Sequence, residues 1–98
     1  MNFKNKTVLS LGSGVSGHEL YFLEIGAKLI YTDISHQAVL FVKNKIDYLK
    51  YKNQISFHAM DAENICLGDE SIDIVIGRAF VHHLEDLNAF FTEIDRVL

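Results

Sequence analysis

The sequence predicts an α/β layer fold, a parallel sheet covered by helices on both faces. Four short apolar runs alternate with helix-length stretches, and each connection leaves room for a crossover to a parallel neighbour. Glycines or acids stand directly after these runs, where an open α/β sheet holds its ligands. The implied strand order is 3-2-1-4, a partial doubly wound arrangement with right-handed crossovers.

The elements follow in order. A first strand covers about Thr7–Leu11, and Gly12-Ser13-Gly14-Val15-Ser16-Gly17 succeeds it at once. A helix over about 17–24 leads to a second strand, about 28–32, which ends on Asp33. A longer helix over about 36–50 has Ser35 as its N-cap and Val39, Val42, Ile46 and Leu49 on one face. The third strand is about 54–59. Asp61-Ala62-Glu63-Asn64-Ile65 reads as a short helical turn, and Gly68-Asp69 as a second turn. The fourth strand is the run 72–76. A last helix begins near Asp86, with Leu87, Phe90, Phe91, Ile94, Val97 and Leu98 at helical spacing. No C-cap glycine follows that apolar face, which predicts that more chain once followed.

Ninety-eight residues make one domain, burying somewhat over ~60% of the surface of the unfolded chain. A hydrophobic fraction of 49% with mixed-sign charge predicts a globular chain. The apolar runs are too short to span a bilayer, and the N-terminus lacks the layout of a signal peptide. Cys66 stands alone, which excludes an internal disulfide, agrees with a reducing cytoplasm and reads as a small buried or half-buried residue. A net charge of −4 argues against a nucleic-acid partner, and Lys43, Lys45, Lys50 and Lys52 read as the wet face of a helix. The fourth strand would lack an outer neighbour. Ile72, Ile74 and Ile76 would then lie near a raw edge that invites pairing with a second copy.

The segment from Val8 to Asp33 carries the site. Glycines after a strand let backbone N–H groups approach a ligand with no Cβ in the way, and the helix beginning there favours an anionic group. Asp33 follows Gly12 by 21 positions, which puts a carboxylate at the neighbouring strand tip for ribose hydroxyls. Gly12-x-Gly14-x-x-Gly17 with Asp33 satisfies the dinucleotide fingerprint literally, so an NAD(P)-binding domain of an oxidoreductase is one reading. Tyr48 and Lys52 have the spacing of a dehydrogenase pair, but on the wrong helix. The same glycines also read as a plain tight turn, Asp33-Ile34-Ser35 as a helix start, and Asp61-Ala62-Glu63 as a loop and cap.

Four segments together resemble the class I S-adenosylmethionine-dependent methyltransferases, closest to the group with quinone-precursor, sterol and other small-molecule enzymes. They are Val8-Leu9-Ser10-Leu11-Gly12-Ser13-Gly14, Tyr31-Thr32-Asp33-Ile34-Ser35, Met60-Asp61-Ala62-Glu63-Asn64, and Ser71 to Ile76 continued by Val81-His82-His83-Leu84. Glu93-Ile94-Asp95-Arg96-Val97-Leu98 looks like the helix that, in the family, leads into a fifth strand. The resemblance implies a Rossmann-like fold and an S-adenosylmethionine cofactor, with a small-molecule methyl acceptor. The turn containing Gly12, Ser13, Gly14 and Gly17 would pass beneath the methionine part. Asp33 would take both ribose hydroxyls and Ile34 would pack on the adenine. Asp61 would accept from the adenine amine while the Ala62 N–H donates to the ring. Gly77 and Arg78 would border the methionyl group and the path to the acceptor.

The chain departs from the family pattern in three places. Ser10 stands where an acid is usual, the glycine turn has an extra step, and nothing follows Leu98. The chain therefore reads as the cofactor-binding half of such an enzyme, residues 1–98. His82 and His83 are candidates for proton transfer, against a plain packing role. With His18, His36 or His58 they show no metal-ligand spacing, so no metal is expected. A non-catalytic nucleoside-binding or interaction module is the remaining alternative.

Overall fold

The structure is a computed structural model that describes residues 3–12, 21–45, 48–51, 53–77 and 86–98. β1 (Thr7–Leu11) occupies the middle of a four-stranded sheet. It pairs in parallel with β2 (Lys28–Asp33) on one side and β4 (Ile74–Gly77) on the other, and β3 (Ile55–Ala59) pairs outside β2. The order β3-β2-β1-β4 is the one expected.

Alternation along β1 divides the core in two. Val8 joins Leu29, Tyr31, Ile55, Leu23 and Val42 on one face. Leu9 and Leu11 join Ala62, Ile65, Ile72, Phe90 and Val97 on the other. α1 (Tyr21–Glu24), α2 (His36–Lys45) and α3 (Tyr48–Tyr51) follow the strands of the first face, packing through Leu23, Val42 and Tyr51. α4 (Leu87–Val97) covers the second through Phe90 and Val97. Helices on both faces of a parallel sheet make the fold Rossmann-like. Gly26, at φ +88, turns the chain out of α1 as its N–H donates to Leu23 O, and an added Cβ would meet Lys4 Cγ at 3.2 Å.

Several boundaries differ from the sequence reading. The start of the first helix falls in residues 13–20, outside the described residues. Asp33 belongs to β2 itself, paired with Ala59. The helix expected over 36–50 is described as α2 and α3, with Val39 and Val42 buried as expected. Ile46 and Lys52 and the side chains of Lys45 and Leu49 lie outside the described residues. Gln54 precedes β3, and its amide donates to the carbonyls of Leu23 (3.0 Å) and Ala27 (3.1 Å). β4 begins at Ile74 because Ile72 is drawn into the second core, its N–H donating to Val97 O at 2.9 Å. Asp61 to Asn64 is a tight turn closed by Asn64 N–H to Asp61 O (3.0 Å), rather than a helical turn. The next turn falls at Asp69-Glu70, where Glu70 has φ +51. Cys66 is exposed rather than buried, since Ile65 and Leu67 take the core positions on either side of it.

The last helix begins where expected, with Asp86 as N-cap accepting from the Ala89 N–H at 3.0 Å. Its apolar face is only partly covered: Phe90, Ile94 and Val97 pack, while Leu87, Phe91 and Leu98 are exposed. The missing C-cap glycine has a tertiary substitute. The carbonyls of Arg96 and Val97 accept from the N–H groups of Glu70 (2.8 Å) and Ile72 (2.9 Å). Arg96 then reaches back to the carbonyls of Ile65 (2.6 Å) and Leu67 (2.7 Å), and pairs with Asp69 (2.8 Å) and Glu93 (2.6 Å). Donation to Asp69, and next to Glu93, raises its pKa above the ordinary guanidinium value.

Arg96 thus fastens the irregular segment between β3 and β4 to α4. Arg96→Met is expected to lower the thermal midpoint followed by circular dichroism. Arg96→Lys should recover only part of the loss, because an ammonium cannot fork to four acceptors. An unchanged midpoint in Arg96→Met would exclude this role.

Candidate functional site

Parallel pairing brings the carboxyl ends of all four strands to one edge of the sheet. Leu11 pairs with Gly77 and Ser10 with Tyr31, so Gly12 leaves the sheet between β2 and β4. Its φ is +61, a left-handed bend that L side chains adopt only at a cost. Beneath it Ser10 is fully buried, and the Thr32 hydroxyl donates to Ser10 O at 2.6 Å, locking β1 to β2 one residue before Asp33. The main chain at Ser10 is thus fixed just before the bend.

Asp33 and Asp61 stand at neighbouring tips. The Met60 N–H donates to Asp33 O at 3.1 Å, which ties the exit of β3 to the end of β2. Each carboxylate is steadied by its own loop. Ser35 N–H donates to Asp33 Oδ1 (2.9 Å), and Glu63 N–H donates to Asp61 Oδ1 (2.8 Å). Both are Asx turns, in which a side chain takes the place of a backbone acceptor. The helix-start reading of residues 33–35 therefore holds beside the site reading, since Ser35 Oγ also accepts from the Ala38 N–H at 3.2 Å. An ionised carboxylate offers about four lone-pair sites, so the contact from Glu63 leaves Asp61 with capacity for a ligand.

Ile34 lies next to Asp33 and is 74% exposed. Full burial of such a side chain is worth about 1.5–3 kcal/mol, so a flat apolar partner lying on it would be favoured. Ala62 is 9% exposed, and among the described residues nothing accepts from its N–H. An N–H at this edge can donate to a ligand that lies along it. Of the predicted site residues, Gly12, Asp33, Ile34, Asp61, Ala62 and Gly77 thus share one edge. Ser13, Gly14, Gly17, Arg78, His82 and His83 lie outside the described residues. A shallow hollow of about 230 Å³ opens at the opposite ends of the strands, lined by Lys28, Asn53, Gln54 and Ser56 among others. Gln54 is already committed to Leu23 and Ala27, and the hollow brings no reactive group.

A family model described as a methyltransferase domain matches residues 9–98. The chain belongs to the methyltransferase domain family. Solved structures share its fold. An S-adenosylmethionine-dependent methyltransferase from Aquifex aeolicus superimposes with a TM-score of 0.83 at 23% identity, over 97% of this chain and 52% of its own. Another from Mesorhizobium loti gives a TM-score of 0.86 at 18% identity, over 100% of this chain and 44% of its own. The YcgJ protein of Bacillus subtilis gives 0.81 at 26% identity, over 96% and 40%. The methyltransferase domain described here thus spans about half the length of these structures or less. No curated protein matches it significantly.

Sequence reasoning about the methyltransferase edge missed two contacts. One is the Thr32 hydroxyl lock, for which a threonine in an apolar strand was the only signal. The other is the side chain of Glu63, whose Oε1 accepts from the Asp86 N–H. Gly12→Ala is expected to destabilise the fold by about 1–2 kcal/mol in urea titration, and Gly12→Asn by less, because asparagine tolerates the left-handed region. Equal stability of the alanine variant would show that the bend does not require glycine.

Proposed function

We propose that the chain is the cofactor-binding half of an S-adenosylmethionine-dependent methyltransferase acting on a small-molecule acceptor. The observation that carries this reading is the adjacency, on one sheet edge, of the Gly12 bend with the carboxylates of Asp33 and Asp61. When bound, S-adenosylmethionine supplies a methyl group already activated by its sulfonium. In this reading Asp33 accepts from the ribose hydroxyls and Ile34 covers one face of the adenine. Asp61 accepts from the adenine amine, and the Ala62 N–H donates to a ring nitrogen. Gly12 admits the ligand to close backbone contact, and Ser13, Gly14 and Gly17 are the further residues proposed to bind its methionine part. Gly77 and Arg78 border the methionyl end.

With the methyl donor activated, the protein's work is alignment, and proximity alone can supply several kcal/mol. A base is needed only where the acceptor loses a proton, a task for which His82 and His83 are candidates. Asp33 would suit the ribose of either cofactor, so the choice between them rests on the second acid, Asp61, and on the family. Family membership over residues 9–98 also favours the methyl donor over NAD(P). A cytoplasmic setting belongs to the same proposal. Among the described residues, no helix is long and apolar enough to cross a membrane.

Calorimetry should find S-adenosylhomocysteine bound more tightly than NAD. Asp33→Ala and Asp61→Ala should each weaken it by roughly 10–100-fold, the loss expected for hydrogen bonds to a charged acceptor. Tighter binding of NAD would end the methyltransferase proposal. Pairing of a second copy along β4 is a separate part of it, since among the described residues β4 is bonded to β1 alone. Light scattering should then give a dimer mass at high concentration, and a clean monomer argues against edge pairing.

A further inference from the structure

Glu63 touches both halves of this region. Its backbone N–H holds Asp61 Oδ1 at 2.8 Å, and its side chain accepts from the N–H of Asp86, the N-cap of α4. The second contact spans 23 positions of sequence. α4 has no acidic residue in its first turn. Among the described residues, the negative charge that complements its N-terminal dipole comes from Asp86 and, across the fold, from Glu63. At its other end α4 is fastened by Arg96 and by the carbonyls that accept from Glu70 and Ile72. Between these ends Ala62 and Ile65 share a core with Phe90. Among the described residues, Glu63 is the polar link from the Asp61-Ala62 turn to the start of α4.

We propose that Glu63 is a positioning residue that couples occupancy of the Asp61-Ala62 turn to the first turn of α4. The inference rests on the cofactor reading above. A ligand that engages Asp61 and Ala62 removes freedom from the turn, and the adjoining Glu63 side chain passes that restraint to Asp86. Gly77 is paired with Leu11 beside the Gly12 bend, and Asp86 is bonded to Glu63 beside Asp61.

The test is amide hydrogen exchange resolved by residue, with S-adenosylhomocysteine as the probe. In the unaltered chain the probe should slow exchange at Glu63 and also at Ala89 and Phe90, whose N–H groups donate to Asp86. In Glu63→Ala the ligand-free Asp86 amide should exchange roughly tenfold faster, as for loss of one hydrogen bond. The probe should still protect residue 63 but no longer Ala89 and Phe90. Glu63→Gln keeps an acceptor oxygen and should restore the response. Protection of Ala89 and Phe90 that persists in Glu63→Ala would overturn the proposal, as would its absence from the unaltered chain when the probe binds. Should the probe bind nowhere, the cofactor reading itself fails, and the link is decided in the ligand-free protein. There, Glu63→Ala must speed exchange at residues 63 and 86 together, and acceleration at Asp86 alone overturns it.

Discussion

β1 is bonded along both edges and covered on both faces. A slip of one residue would turn Val8 and Ser10 out of one core and Leu9 and Leu11 out of the other. Its register is therefore strongly specified, and that register decides which residues meet at the ligand edge. Gly12 emerges between the ends of β2 and β4 because Ser10 is opposite Tyr31 and Leu11 is opposite Gly77. Tyr31 extends the same control outward, its ring packed at 5.8 Å from that of Phe57 on β3. Asp33 and Asp61 then inherit their places from the sheet.

Asp33 and Asp61 each receive an N–H from two residues further on, so each is oriented before any ligand arrives. That pre-organisation lowers the ordering cost a ligand must meet. It also explains how residues that look like loop and cap can serve a binding site. The cap and the site use the same geometry.

The segment from Asp61 to Asp73 makes little secondary structure, yet it buries Ile65 and Ile72. Backbone groups drawn in with them need partners, and α4 provides them. Arg96 donates to two carbonyls of the segment, while the last carbonyls of α4 accept from two of its N–H groups. Helix end and irregular chain thus satisfy each other. The Asp61-Ala62 turn consequently rests on a helix rather than on a free loop.

Much of this was legible in the chain. Apolar runs marked the strands, Ser35 and Asp86 marked helix starts, and the spacing of Gly12, Asp33 and Asp61 marked one edge, because these signals are local and periodic. What escaped depends on partners distant in sequence. Ile72 looked like the first residue of a strand but is bonded to Val97, and the end of α4 looked uncapped because its caps lie at Glu70 and Ile72. Cys66 looked buried, yet its neighbours Ile65 and Leu67 take the core side. Arg96 and Glu63 were given no individual role from sequence, because the carbonyls and the amide that meet them are supplied only by folding. Sequence alone determined the layers and the strand tips, since burial periodicity and glycine and acid spacing are written along the chain. Only the tertiary structure decided which polar groups pair across it, because a hydrogen bond depends on distance and direction in space.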